Sequence, residues 1–170
     1  MKRQHILLVI TVIAMTCSAN AASASAQTRV TKGERMMPDM FEFRHVSVSI
    51  DRPPQVVYDF IADGSNLVQW ATGLGTKFER DGDQWLAQGP LGTARVRIAK
   101  PNDLGVADQT VTLESGLTAH NPIRVIPNGK GSTVTFTLLR QPGVSEEKFT
   151  SDANWVRKDL EALKMILEKR

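Results

Sequence analysis

A single apolar stripe along the C-terminal segment is the feature that most constrains the fold of this chain. Between residues 146 and 169, apolar side chains recur at steps of four and three residues, the spacing of one face of an α-helix. The stripe consists of Phe149, Ala153, Val156, Leu160, Leu163 and Leu167. Ser145 is placed to cap the start of this helix. A long helix with one apolar face needs an apolar surface of similar length to cover it.

Most of the chain before this helix alternates apolar and polar residues, as Val46, Val48 and Ile50 do, which is the pattern of half-buried β-strands. About seven strands are predicted, at residues 41–50, 77–80, 84–87, 93–100, 107–114, 123–126 and 132–140. Two short helices, at residues 53–62 and 66–71, separate the first strand from the second. The sequence therefore predicts the α+β class, with an antiparallel sheet packed on the long helix.

The first 26 residues have the pattern of a secretory signal peptide. Lys2 and Arg3 precede an almost wholly apolar run at residues 6–15, and small residues follow as far as Ala26. This run is about half of the ~20 residues that a membrane-spanning helix requires, so no stable membrane anchor is expected. We predict cleavage near Ala26, export to the periplasm or out of the cell, and a loose polar leader at residues 27–40.

The composition that remains after cleavage excludes several classes of function. The one cysteine, Cys17, lies in the signal peptide, so the mature chain has no thiol for catalysis, redox chemistry or zinc binding. The peptide carries two of the 21 basic residues and none of the 18 acidic ones, so the mature chain is close to neutral. Nucleic acid is bound through many basic contacts to phosphate, and no nucleic-acid partner is expected here.

Three stretches, together with the order of the predicted elements, resemble the START-like (SRPBCC, polyketide cyclase-like) family. The first is SIDRPPQVVYDF at residues 49–60, continuing to Trp70. The second comprises residues 105–113 and 121–129, and is similar to a small bacterial branch of unassigned activity. The third is DLEALK at residues 159–164. The likeness covers nearly all of the mature chain, so one START-like domain is expected at residues 41–170.

The resemblance implies the helix-grip fold, in which a curved antiparallel sheet wraps around the C-terminal helix and leaves a cavity between them. It implies a small hydrophobic or amphipathic ligand in that cavity. No cofactor is expected, because the sequence contains no true phosphate loop. Filling of the core explains the tryptophans as well as ligand binding does. The side chains expected to line the cavity are Phe60, Trp70, Phe136, Leu138 and Trp155.

Three polar residues are the candidates for a catalytic acid or base: His120, Asp108 and Arg124. His120 is expected in a loop on the rim of the cavity. Arg124 alternates with apolar neighbours on a strand, and the direction of its side chain is open. His45, the other histidine of the mature chain, is far from His120 in the sequence and lacks the spacing of a metal ligand. No metal site is expected.

Three functions remain open at this point. The chain is an exported binding protein for a small hydrophobic or amphipathic molecule, a cyclase- or dehydratase-like enzyme with the same cavity, or an interaction domain whose core is filled. The volume of the cavity separates the third function from the first two. A titratable group with a shifted pKa inside the cavity distinguishes an enzyme from a binding protein. The oligomeric state is open as well.

Overall fold

The computed structural model describes residues 40–89 and 92–170. These ranges contain three α-helices, which are α1 (Pro54–Ala62), α2 (Leu67–Trp70) and α3 (Glu146–Glu168), and a short 3-10 helix at Gly64–Asn66. The eight strands are β1 (Phe43–Ile50), β2 (Lys77–Asp81), β3 (Gln84–Gly89), β4 (Gly92–Ile98), β5 (Gln109–Leu113), β6 (Thr118–Asn121), β7 (Ile123–Asn128) and β8 (Gly131–Leu139).

All paired strands run antiparallel and form two sheets, with the orders β1-β8-β7 and β2-β3-β4-β5-β6. The sheets meet where β6 passes into β7 through Pro122, and a β-bridge between Val106 and Arg124 joins them there. Gly105 has a φ of 69°, and a β-carbon at this position would overlap the carbonyl oxygen of Val125, so the junction requires glycine. Buried apolar residues from both sheets and all three helices form one core cluster.

The long helix α3 packs the predicted stripe against this core. Phe149, Leu160, Leu163 and Leu167 are at most 2% exposed, whereas Ala153 is only partly buried. The hydroxyl of Ser145 accepts a hydrogen bond from the backbone N–H of Lys148, as expected of the residue that caps the helix. At the other end, Nε of Arg52 donates to the backbone carbonyl of Leu167 at 2.8 Å, which satisfies a carbonyl that the helix leaves unpaired. The α+β helix-grip prediction is confirmed.

The described residues form eight strands, whereas the sequence predicted about seven. The strand that the sequence missed is the short β6. Its four residues contain one apolar side chain, Ala119, so the alternation that reveals a strand is absent from the sequence. β6 is nevertheless fully paired with β5, from Gln109 opposite Asn121 to Thr112 opposite Thr118. His120, expected in a loop, therefore lies on a strand at the edge of the larger sheet.

The predicted signal peptide and the predicted leader, except Met40, lie outside the described residues. Within the ranges that are described, no helix is both long enough and apolar enough to cross a membrane.

Candidate functional site

A cavity of about 40 Å³ lies beneath the middle of α3, between this helix, α2 with the loop that follows it, and strands from both sheets. Its apolar wall is formed by Ala71, Leu74, Phe136, Val156 and Leu160. Four side chains with polar atoms also line it: Trp70, Gln109, Asn121 and Asp159. A mostly apolar cavity with a few converging polar groups is the usual form of a small-molecule site.

Local structure fixes the direction of these polar side chains. Gln109 opens β5, whose alternate residues Val111 and Leu113 are buried on the same face, so its amide points into the interior. Asn121 lies directly opposite Gln109 on β6 and brings a second amide to the same place. Trp70 ends α2 and is 3% exposed. Gln109 and Trp70 therefore bring polar groups to buried positions, on a strand and at a helix end, that are ordinarily apolar.

Two of the residues that line this cavity carry buried hydrogen-bond donors that are unpaired. Nε1 of Trp70 and Nε2 of Gln109 have no hydrogen-bond partner among the described residues. Together they offer three N–H protons, one from the indole and two from the amide. Each buried donor left unpaired costs about 1–3 kcal/mol of stability, so such groups are uncommon unless something else satisfies them.

Asp159 brings a carboxyl group to the same cavity. Its Oδ1 accepts a hydrogen bond of 2.7 Å from Oγ1 of Thr72, in the loop after α2. Burial raises the pKa of this carboxyl from the ordinary 3.8 to about 6, although hydrogen bonds from Thr72 and from the backbone of Gly73 favour the ionised form. Asp159 forms no ion pair with a described residue, so hydrogen bonds alone stabilise its ionised form.

Of the five side chains expected to line the cavity, the structure brings Trp70 and Phe136 to it. Phe60 lies instead beside an outer groove with Leu167, where the guanidinium of Arg170 stacks 4.7 Å from its ring centre. Leu138 is 3% exposed and belongs to the core cluster, away from the cavity wall.

Trp155 is partly buried on α3 and also lies off the cavity wall. Its Nε1 is buried without a partner among the described residues, and Nζ of Lys158 lies 5.2 Å from the centre of its ring. The unpaired indole of Trp155 is therefore separate from the pair of donors inside the cavity.

The three candidates for acid–base chemistry lie away from the cavity wall. Asp108 and Arg124 form an ion pair, and Asp108 also accepts the backbone N–H of Ile123 at 2.8 Å. Both side chains are about 40% exposed, and this pair supports the junction of the two sheets. His120 is exposed, and its Nδ1 lies 3.1 Å from Oγ1 of Thr110 on the neighbouring strand. Among the described residues, no three His, Cys, Asp or Glu side chains are grouped so that they could hold a metal ion.

Sequence reasoning missed Asp159 and Gln109 as site residues, although each interrupts an apolar pattern. Asp159 lies three residues after Val156 and four before Leu163, at the edge of the stripe. Gln109 occupies the inward register of a strand whose other inward residues are valine and leucine. A polar residue in the register of buried neighbours is the signal that would have found both.

Comparison with known proteins identifies the fold. No protein-family model matches the sequence, and no curated protein matches it. Among solved structures, Aha1 from Colwellia psychrerythraea matches 75% of this chain and 96% of its own, with 14% identity and a TM-score of 0.58. The protein XoxI from Bacillus cereus matches 74% of this chain and 94% of its own, with 19% identity and a TM-score of 0.57.

A third solved structure, Ara h 8.0201, matches 76% of this chain and 99% of its own, with 12% identity and a TM-score of 0.55. Identities this low carry no information on activity, because one scaffold hosts many functions. These likenesses, together with the antiparallel sheets and the long C-terminal helix, show that this chain has the helix-grip fold.

Proposed function

We propose that this chain is a START-like binding protein for a small amphipathic molecule, and that a neutral carbonyl group of the ligand enters the cavity beneath α3. The observation that carries this proposal is the pair of buried, unpaired donors, Nε1 of Trp70 and Nε2 of Gln109. A carbonyl oxygen supplies acceptors without adding donors of its own. It is therefore the kind of group that would pair with such donors.

The charge of the cavity wall favours a neutral ligand over a carboxylate. None of the described residues that line the cavity is a lysine, arginine or histidine. A ligand carboxylate would be buried beside Asp159 without a cation to pair with, and a buried unpaired charge is costly. A ketone, aldehyde or ester makes the same hydrogen bonds at a lower cost of desolvation.

The volume of the cavity sets how much of the ligand is enclosed. Sites for drug-sized ligands have volumes of about 300–1,000 Å³, whereas this cavity has about 40 Å³. It accommodates a carbonyl group with its immediate neighbours, and the apolar remainder of the ligand extends out between α3 and the loop at residues 71–76. The small volume is also the observation that favours the rival function, an interaction domain with a filled core.

Binding can be tested with a series of ketones from 2-butanone to 2-decanone, followed by the indole N–H signals in a nitrogen-15 NMR spectrum. We expect the Trp70 signal to shift, and affinity to rise with chain length as more apolar surface is buried. Trp70→Phe and Gln109→Leu each remove donors and should weaken binding about tenfold, since a hydrogen bond contributes about 1 kcal/mol or more.

Trp85→Phe is the matched control, because Trp85 packs against Gly64, away from the cavity. It should leave the affinity unchanged. If no ketone of the series shifts the Trp70 signal, the binding proposal fails and the interaction domain with a filled core becomes the leading function.

We also propose that the protein is exported and acts in the periplasm or outside the cell. The support is the sequence of residues 1–26, with its basic start, short apolar run and small residues up to Ala26. Intact-mass analysis of the exported protein should give a chain that begins at Gln27. A mass that retains Cys17 with an added acyl chain would contradict the proposal of a protein without a stable membrane anchor.

A further inference from the structure

Asp159 differs from the other polar groups of the cavity in that it can take up and release a proton. It lines the same partly open cavity as Trp70 and Gln109, the two residues whose buried donors have no partner among the described residues. The hydroxyl of Thr72 holds it in one orientation through Oδ1. A carboxylate and two N–H donors around one apolar space are the groups that proton abstraction next to a carbonyl requires.

Resting on the proposed binding of a carbonyl compound, we infer that the cavity is a proton-transfer site in which Asp159 is the general base for enolisation of the bound ligand. The Asp159 carboxylate removes a proton from the carbon next to the carbonyl. The electron pair of that C–H bond forms the C=C bond of the enolate, and the C=O π pair moves onto oxygen. Nε1 of Trp70 and Nε2 of Gln109 donate hydrogen bonds to that oxygen.

The step is balanced within the site. One negative charge leaves Asp159 as its carboxyl gains the proton, and one negative charge appears on the enolate oxygen, so the net charge of the cavity does not change. Return of the proton to the same carbon restores the ketone, and return to a different carbon of an unsaturated ligand would shift its double bond. No oxidant, reductant or second substrate is needed.

The surroundings of Asp159 define how the reaction should depend on pH. On α3 itself, the nearest charged side chain in sequence, Lys158, is exposed and stacks near Trp155. None of the described groups that face Asp159 from the other elements titrates near neutral pH. These groups are Trp70 from α2, Thr72 and Gly73 from the following loop, Gln109 from β5, Asn121 from β6 and Phe136 from β8. Burial raises the pKa of Asp159 to about 6, so half of the carboxyl is in the base form at that pH and nearly all of it well above that pH.

The test is hydrogen–deuterium exchange at the carbons next to the carbonyl of 2-octanone in D2O, measured by the loss of their proton NMR signals. A positioned general base contributes about 10²–10⁴-fold to such a step, so the protein should accelerate exchange about 100-fold over buffer. The acceleration should rise with pH, reach half of its maximum near pH 6 and then level off, following the ionised fraction of Asp159.

Asp159→Asn is the decisive variant, because its side-chain oxygen still accepts the hydrogen bond from Thr72. It should bind 2-octanone, as shown by the Trp70 indole signal, and exchange it at the rate of buffer alone. Wild-type protein that binds 2-octanone without accelerating exchange would overturn the inference and leave the binding proposal standing. Exchange that is equally fast in Asp159→Asn would also overturn it, and a failure of every ketone to bind would overturn both.

Discussion

Two regions of the surface beneath α3, at the ends of the helix and under its middle, differ in whether their buried polar groups have hydrogen-bond partners. At the ends of the helix, Phe149 and Leu167 are at most 2% exposed, and the one buried carboxyl there among the described residues, Asp152, is paired with Lys148. Beneath its middle, Trp70, Gln109 and Asp159 surround a cavity, two of them with unpaired donors and the third with a shifted pKa. One helix therefore covers a dry core and a polar cavity within a few turns.

Under the proposed function, the packed ends of the helix stabilise the fold and the cavity binds the ligand. Apolar packing stabilises the fold, whereas an unpaired donor or a desolvated carboxyl lowers the free energy of unfolding. Proteins retain such costs mainly at functional sites, where local rules of sequence and structure are broken. Substitutions in the packed region should therefore lower the free energy of unfolding, and substitutions of the polar cavity residues should raise it.

The largest effect is expected in the packed core outside the cavity, where Leu163→Ala should lower the free energy of unfolding by about 2–5 kcal/mol. Leu163 is fully buried on the stripe, and its truncation leaves a void that the surrounding core cannot fill. Glu161→Ala, an exposed position on the same helix, should change stability by less than about 0.5 kcal/mol. Denaturant unfolding of the two variants measures both values, and similar losses would mean that α3 does not pack on this face.

In the cavity, Asp159→Asn should stabilise the protein at pH 8. Its pKa is higher in the folded chain, at about 6, than the ordinary 3.8, so the folded state binds the proton more tightly. The contribution of Asp159 to the stability of the wild type therefore falls as the pH rises from about 4 to about 6, by up to about 3 kcal/mol. Asparagine cannot ionise, so the gain over wild type should be full at pH 8 and absent below about pH 4.

Unfolding in denaturant at pH 8 and at pH 4 checks this prediction, with Glu161→Gln as the control for removal of an exposed carboxyl from α3. A loss of stability in Asp159→Asn at pH 8 would show that the hydrogen bonds to the carboxylate outweigh its desolvation. The cavity would then be a structural feature of the helix–loop contact with Thr72.

A smaller gain is expected from Gln109→Leu, which replaces an unpaired buried amide by an apolar side chain of similar size. The free energy of unfolding should rise by about 1 kcal/mol, since the cost of the unpaired donor is removed. Thermal unfolding measures the gain, and the same variant should have lost affinity for ketones. A less stable variant would mean that ordered water already satisfies the amide in the free protein.

The overall fold was predictable because its signals are periodic and local. The stripe from Phe149 to Leu167 and the alternation of β1 and β8 each repeat several times, so single exceptions do not hide them. β6 was missed because four residues with one apolar side chain carry no period.

The site was less predictable because it depends on contacts between distant segments. Trp70 and Phe136 were expected at the cavity on the grounds of size and aromatic character, and they line it. Asp159 and Gln109 were missed because their roles follow from burial and from missing partners, which only the folded chain defines. His120 was considered for its chemistry, yet its strand places it at an exposed edge.

Both the proposed binding and the inferred proton transfer require that the interior beneath the middle of α3 is a desolvated polar site. The most direct measurement is a pH titration of the Asp159 carboxyl carbon by carbon-13 NMR in the free protein. We predict a midpoint near pH 6, because burial outweighs the hydrogen bonds that favour the carboxylate. A midpoint near the ordinary 3.8 would show that the carboxyl is solvated, and would contradict both the binding cavity and the proton-transfer site derived from it.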